Sequence, residues 1–569
     1  MHTPLCFKRV TAMLDLHMNA PSTTFSECGY VDHQCFFALY EMMDAHGRII
    51  NPQRLDYEAQ LLKDRLHRAH RDGIAVYHVF GRSLTEFLTY EAFDVYSEDD
   101  PQVASARIFR NAFSECLGLA GQLGIRIGFS VNQFTFAQAV YDKLGDRLKG
   151  DGPHGSAVCP GRPFTWELYR EMLDEFFTVC PGIGILQLTT NETQVNVVDC
   201  SCPQCDHLDI GERIILLTQQ THAVCQKHGV ELQLRSWGEM EDEGFFDRVS
   251  DEIDPGIGVS VKNTEGDFHL YLPMHRMIGY GDRSQIVEFD AWREFSGWNG
   301  FPCFMGYRYQ ERLKACLDQG VTRVTLRLTW LPNHRLLEEI PWGNDLNRQV
   351  FLALLHNPDL DVTAWLEGAL SEFQTSPCPE FASLYRESSG WLEQSYFPDG
   401  MHLHSHSTVC NPWESGHTAL QEIQHWTHPL WRSHQPSAET LLSISQQNAE
   451  RWQGIVARVT SLEGRISEPV YQDLLRNARG QACLMELLPR MVLIRARLTE
   501  PEWASPGSYG TELDVLRDLA LDWQASAPRH FENMLGAFVL KAVHEARLRL
   551  VTRRPHSPDL SSCYDHPIR

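Results

Sequence analysis

Apolar positions along the chain follow two alternating rhythms as far as about residue 355. Short apolar, β-branched runs recur at 7–16, 74–80, 125–131, 183–190, 231–237, 257–263, 286–289 and 321–329. Several are continuously apolar, the pattern of strands buried on both faces. Between them, 57–70, 166–177, 212–226 and 308–319 carry apolar residues at helical spacing. Turn glycines stand just ahead of four of the runs, at Gly73, Gly124, Gly182 and Gly229. Strands alternating with helices imply a parallel sheet. Eight such units over about 330 residues have the size and rhythm of a (β/α)8 TIM barrel, an α/β fold. A doubly wound open sheet is the competing arrangement, but no GxGxxG or Walker sequence follows the first run.

The strand rhythm then stops, and 414–550 reads almost entirely helical. One long helix is predicted at 440–459. Another starts at Ser467-Glu468-Pro469, with proline in the first turn where its missing N–H costs little. Its continuation at 470–497 contains Gly480 and Pro489, which predict a kink or a break. Further helices are expected from Thr511 and Pro528. The predicted organisation is a catalytic barrel at 1–350, a connecting segment at 351–410, a helical domain at 411–552 and a flexible tail at 553–569. The helical domain is expected to pack on the barrel or to form a homodimer contact.

Composition narrows the function classes. The net charge of −24 and pI near 5.5 argue against nucleic acid or an anionic membrane surface as partner. No apolar run reaches the roughly 18 residues of a membrane span. Residues 1–9 lack the layout of a signal peptide. The 16 cysteines are mostly scattered singly through apolar stretches. Without an export signal they read as reduced thiols, and the expected location is cytoplasmic.

In a TIM barrel the chemistry sits where the strands end. The predicted third strand ends at Asn132, and the fourth runs into Thr189-Thr190-Asn191-Glu192. The fifth ends Arg235-Ser236-Trp237, and the sixth ends Lys262-Asn263, followed by Asp267. The seventh delivers Glu288, Asp290, Trp292, Arg293 and Glu294. Strands four, six and seven thus bring carboxylates, and strands five and six bring cations. Glycoside hydrolysis needs an acid for the leaving oxygen and a carboxylate acting as base or nucleophile. Trp237, Trp292, Trp298 and Trp330 are candidates for stacking on sugar rings. Cations at the same mouth point to an anionic group on the substrate.

Each residue alone has a plainer reading. A carboxylate after a strand commonly caps a helix, and Gly266-Asp267 is ordinary turn chemistry. Glu288 and Asp290 are expected, on that view, to pair with Arg293 at the surface, and Arg235 to buttress an acidic loop. Their joint occurrence at one barrel mouth is what favours an active site.

The stretch 261–268 (VKNTEGDF) resembles the VKNxxxDF sequence of the alpha-glucuronidases of glycoside hydrolase family sixty-seven. The stretch 287–297 (VEFDAWREFSG) resembles that family's MEFQxTKEYxG, at a similar separation. Residues 124–132 (GIRIGFSVN) and 234–237 (LRSW) resemble its third strand and the segment carrying its carboxylate-binding arginine. The resemblance spans about residues 5–335 through scattered local matches. It implies an exo-acting, inverting enzyme that removes glucuronic acid from xylan fragments. Glu192 then matches the general acid, and Asp267 and Glu294 the pair that activates water. Arg235 and Lys262 match the holders of the uronate carboxylate. Asn132, Trp237 and Trp292 complete the expected substrate site. No cofactor is expected for catalysis.

Two further readings stay open: a barrel of this type acting on a neutral or amino sugar, and an inactive barrel that only binds carbohydrate. A metal-dependent amidohydrolase would need His-x-His on the first strand, where the sequence has Leu16-His17-Met18-Asn19.

One motif lies outside this scheme. Residues 199–207 (DCSCPQCDH) place Cys200, Cys202 and Cys205 in a CxCxxC pattern just after Glu192. Three thiolates at this spacing suit a structural Zn²⁺, with His207 or a distant cysteine as fourth ligand. His402, His404 and His406 are also possible ligands, but in a flexible loop they read as solvated.

Overall fold

The computed structural model describes residues 24–32, 52–80, 84–132, 136–151, 157–190, 200–236, 238–265, 268, 272–291, 302–329, 342–343, 345–396 and 438–498, with 514–515, 517–519 and 521. Eight parallel strands close into a barrel: β1 (Glu27–Asp32), β2 (Val76–Phe80), β3 (Arg126–Asn132), β4 (Ile183–Thr189), β5 (Glu231–Arg235), β6 (Gly258–Lys262), β7 (Gln285–Asp290) and β8 (Arg323–Thr329). Each pairs with its neighbours in sequence, and β1 closes on β8 with Glu27 beside Arg323 and Tyr30 beside Leu326. The fold is the expected (β/α)8 barrel with helical additions.

Strands two to eight fall where the apolar runs place them. The first does not. The run 7–16 lies outside the described residues, and the position beside β8 is filled by Glu27–Asp32. That strand escapes a hydrophobicity reading because its six residues, ECGYVD, begin and end in carboxylates. All four turn glycines adopt left-handed backbone, with φ of 72° at Gly73, 71° at Gly124, 130° at Gly182 and 68° at Gly229.

Intervening helices are α1 (Pro52–Arg71), α2 (Pro101–Gln122), α3 (Gln138–Leu148), α4 (Pro163–Val179), α5 (Ile210–His228), α6 (Glu243–Glu252) and α7 (Gly306–Asp318). A two-stranded antiparallel ribbon, Lys149–Gly150 with Ala157–Val158, stands between α3 and α4. Strand alternation sorts the side chains. Tyr77, Phe129, Leu186, Leu234, Val261, Phe289 and Leu326 belong to the main apolar core shared with the helices. The opposite parity carries His78, Ser130, Gln187, Gln233, Ser260, Glu288 and Thr325, all buried inside the barrel. Barrel interiors are more often filled by branched apolar side chains. Here Ser130 and Gln187 hydrogen bond at 2.8 Å. His78 Nδ1, Gln187 Nε2, Gln233 Oε1, Ser260 Oγ and Thr325 Oγ1 find no partner among the described residues. Buried polar groups of this kind are ordinarily satisfied by ordered water.

The barrel's N-terminal end is closed by the first residues of four strands. Arg323 Nη2 lies 2.8 Å from both Glu27 and Glu231. Arg126 Nη2 reaches Glu231 at 2.9 Å and Glu27 at 3.3 Å. Two cations and two carboxylates neutralise one another across the barrel axis.

Helices α8 (Asp345–His356), α9 (Val362–Ser371) and α10 (Pro379–Tyr396) follow, then α11 (Ala438–Thr460) and α12 (Glu468–Leu498). The stretch 351–410, read as a connection, is helical over much of its described part. Trp452 of α11 is fully buried, and its Nε1 donates to Ser395 Oγ of α10 at 2.9 Å. Side chains of these helices and of the barrel belong to one continuous apolar core. The expected break in α12 does not occur, and the helix runs through Gly480 and Pro489. A proline inside a helix leaves the carbonyl four residues earlier without its N–H partner. Asn448 of α11 supplies a substitute, its Nδ2 lying 3.4 Å from the Met485 carbonyl. Ser445 Oγ donates to the Glu486 carbonyl at 2.8 Å.

Candidate active site

At the C-terminal end of the barrel a charged cluster is buried under Phe268. Arg235 ends β5, Lys262 ends β6, Glu288 lies on β7 and Arg327 on β8. Each of the four is at most 3% exposed. Arg235 Nε lies 3.0 Å and its Nη2 3.4 Å from the Glu288 carboxylate, so two nitrogens meet two oxygens. Arg327 Nε approaches Glu288 Oε1 at 3.4 Å. The register sets Lys262 beside Glu288. Burial alone would raise the Glu288 carboxyl, but the charges of Arg235, Arg327 and Lys262 outweigh it and hold it below the ordinary carboxylate value. Glu288 is therefore a fixed anion that orients the cations, not a proton carrier. The expected surface pairing of Glu288 and Asp290 with Arg293 is corrected for Glu288, whose ion pairs are buried ones with Arg235 and Arg327. Asp290 is also buried.

Phe268 covers the cluster. Its ring centroid is 4.3 Å from the Arg327 guanidinium and 5.5 Å from Lys262 Nζ, distances of cation–π contact. Asp32, the last residue of β1, accepts from Arg65 Nη1 at 2.7 Å and Tyr77 Oη at 2.6 Å. Deeper in the barrel, burial pulls the His78 imidazole down to about 4, so it is neutral at physiological pH. Its ring occupies the space a side chain at Gly128 would need: a Cβ there would fall 2.3 Å from His78 Nδ1.

Of the residues expected to form the site, Arg235 and Lys262 come together in this cluster, and Asn132 is buried at the end of β3 with Thr189 as its neighbour in register. Glu192, Asp267, Glu294, Trp237 and Trp292 lie outside the described residues, as do Trp298, Trp330 and Arg293. Sequence reasoning passed over Arg327. The signal was available, since β8 alternates Thr325-Leu326-Arg327-Leu328 and so turns Arg327 to the side of Thr325. It also passed over Glu86, half-buried just after β2, whose carboxyl burial pushes up to about 7.

The cysteine motif folds into a second cluster. Cys200, Cys202 and Cys205 are joined by Cys159, which follows the ribbon, and all four sulfurs lie within 4.8 Å of one another. The distances are 3.2 Å from Cys159 to Cys202 and 3.6 Å from Cys202 to Cys205. Burial works against ionisation of Cys202, but hydrogen bonds from Cys159, the Gln204 backbone, Cys200 and Cys205 bring it down to about 7. This donor set can hold a metal ion. The distant cysteine, rather than His207, is the fourth member. His402, His404 and His406 lie outside the described residues.

No helix among the described residues is long and apolar enough to cross a membrane. No protein-family model and no curated protein sequence matches the chain. Among solved structures, the chain is similar in fold to a GH138 enzyme targeting pectin rhamnogalacturonan II, at 10% identity and a TM-score of 0.58. That alignment covers 94% of this chain and 85% of the other. Looser matches are a Flavobacterium johnsoniae chitobiase (TM-score 0.37, 10% identity, covering 92% of this chain and 78% of that one) and a Bacteroides fragilis beta-N-acetylhexosaminidase (TM-score 0.37, 13% identity, covering 62% and 70%). At these identities the likeness is one of fold, a closed barrel shared with the pectin-targeting enzyme.

Proposed function

We propose that this chain is an exo-acting, inverting glycoside hydrolase that takes an acidic sugar such as an alpha-glucuronide. The observation that carries the reading is the gathering of Arg235, Lys262 and Arg327 around the buried Glu288 carboxylate at the end of the barrel where chemistry occurs. Burying an ion costs several kcal/mol (about 20 in the idealised limit). A fold that needed only a packed interior would not assemble three cations there. A uronate carboxylate is the ligand that such a set recognises, with Arg235 held in plane by Glu288 and Phe268 as an apolar lid.

In this scheme Glu192 protonates the leaving oxygen, and Asp267 and Glu294 activate water from the opposite face. An inverting pair stands about 6.5–9.5 Å apart to admit that water. The resemblance of 261–268 and 287–297 to family sixty-seven sequences supports the assignment. So does the barrel's likeness to an enzyme targeting a pectic polysaccharide. For the four-cysteine cluster the proposed ion is zinc, with a structural role, and buried reduced thiols in this number accord with a cytoplasmic site of action.

The test is a screen of aryl uronides, neutral aryl glycosides and uronic-acid oligosaccharides, with product stereochemistry followed by NMR. Turnover confined to uronides with inversion is expected. Equal turnover of neutral sugars would remove the acidic-substrate reading, and binding without turnover would favour a carbohydrate-binding barrel. Glu192→Gln should slow alkyl-leaving-group substrates far more than activated aryl ones. Equal losses on both would take Glu192 out of the acid role.

A further inference from the structure

We infer that the ion held by Cys159, Cys200, Cys202 and Cys205 is a staple. It fastens the segment after β4 to the ribbon after β3, and so anchors the chain on both sides of Glu192. The site assignment is independent of the proposed reaction; only the expected effect on turnover rests on it.

The ligand set comes from two loops at the same end of the barrel. Cys159 lies in the connection from β3 to β4, and the other three in the connection from β4 to β5. Four thiolates at about 2.3 Å around one tetrahedral ion leave sulfurs about 3.8 Å apart. The observed 3.2 and 3.6 Å separations need only small adjustment to reach that spacing. They are far from a covalent bond, which brings sulfurs to about 2.05 Å.

The surroundings are shaped for close approach. A Cβ at Gly150 would fall 2.2 Å from Cys200 Sγ, and one at Gly161 would fall 2.2 Å from the Gln204 carbonyl oxygen. The backbones of the two loops are already joined, Ser201 N–H donating to the Asp151 carbonyl at 2.6 Å. Arg213 of α5 grips the cysteine turn through the carbonyls of Cys200 (2.7 Å), Cys205 (3.1 Å) and Leu208 (2.9 Å), and its Nη2 lies 3.8 Å from Cys205 Sγ. A guanidinium there offsets part of the charge of a tetrathiolate complex.

Energetics favour an ion over bare thiols. The four cysteines form an apolar cluster separate from the main core, with Leu208 the one partly buried apolar residue packed against it among the described residues. So small a cluster buries too little surface to order two loops by itself, which is where structural zinc supplies folding free energy. With the ion, the chain after β4 is tied at Thr190 and again at Cys200. Without it, the turn keeps only its hydrogen bonds, from Ser201 N–H to the Asp151 carbonyl and from Arg213 to the carbonyls of Cys200, Cys205 and Leu208. The cost of losing the ion falls on how firmly the chain is held at Cys200, on the C-terminal side of Glu192 in the sequence.

The purified full-length chain should contain one zinc per molecule by elemental analysis. Cobalt exchange should give the charge-transfer absorption of a tetrahedral thiolate site, and cadmium NMR of the exchanged protein should report four thiolate ligands. Cys159→Ser should lose the ion, whereas Cys316→Ser, a buried cysteine on α7, should keep it. If Cys159→Ser fails to fold, the cadmium spectrum of the unaltered protein decides the ligand count. Arg213→Met should weaken zinc binding by about 10- to 100-fold. Stripping the ion should open residues 132–209 to limited proteolysis and lower kcat on uronides, and added zinc should restore both. Absence of zinc, iron in its place, cysteines recovered as disulfides, or an unchanged proteolysis pattern after stripping would each overturn the staple. Proteolysis and metal content need no substrate. A chain that turns over no glycoside but shows both effects would refute the proposed function and leave the staple standing.

Discussion

The two ends of the barrel use the same side-chain chemistry to opposite purposes. At the N-terminal end, Glu27, Arg126, Glu231 and Arg323 balance two against two, partly in contact with solvent. Burial opposes ionisation of Glu231, but hydrogen bonds from Gln233, Arg323 and Arg126 hold its carboxyl below the ordinary value. Nothing there calls for an outside ion. At the C-terminal end, three cations share Glu288 away from water. The first network is self-neutralised at the barrel's end, whereas the second is buried around Glu288, and under the proposed function it is the second that takes the substrate's anion. Burial and position, not residue type, distinguish the two ends.

The sharpest way to break this contrast is to remove the central carboxylate from each network. Glu288→Gln takes the shared carboxylate away from buried cations and should cost about 3–5 kcal/mol of stability in urea unfolding. Glu231→Gln at the other end should cost about 1 kcal/mol or less. Comparable losses would mean that the two ends are energetically alike.

Acid sensitivity should follow, from the interior alone. The folded His78 value, about 4, is below that of an unfolded histidine, so the unfolded chain takes up a proton that the native barrel refuses. The stability from this group is complete above about pH 6.5 and falls as pH drops toward 4, by about 3 kcal/mol in total. His78→Gln should flatten the stability curve across that window. Glu288 acts lower: its folded value is depressed, so its contribution is present above about pH 4.3 and is lost as pH falls through the folded value. A His78→Gln curve that matches the parent between pH 6.5 and 4 would contradict the buried, neutral imidazole.

Substrate discrimination sharpens the comparison further. Arg327→Met should raise KM for a uronide by about 10- to 100-fold relative to its neutral counterpart, the worth of one charged hydrogen bond. Arg323→Met, on the same strand at the opposite end, should leave that ratio unchanged. The smallest effect is expected from salt. Arg126→Ala should cost a few tenths of a kcal/mol at low ionic strength and still less at about 1 M, where the Debye length shrinks to about 3 Å.

How much of this was legible beforehand depends on how local each feature is. Strands two to eight were readable because each is a continuous or alternating apolar run with a turn glycine or a helix beside it. The first strand was not, since Glu27 is spent on the charge network at the N-terminal end of the barrel and Asp32 on a buried ion pair with Arg65 of α1. Arg235 and Lys262 could be placed at the mouth from strand endings alone. The role of Glu288 could not, because its partners come from β5 and β8 and only barrel closure brings them together. Cys159 was hidden for the same reason: the CxCxxC motif is local, and its completing cysteine belongs to the preceding loop.

The mended carbonyl of Met485 carries a consequence for assembly. Asn448 lends α12 the hydrogen bond that Pro489 withholds at Met485, and Ser445 adds one at the Glu486 carbonyl. A peptide of α12 in isolation should therefore fray beyond Met485. The pair then acquires its full length only when both helices are side by side, a built-in check that one half is not completed without the other.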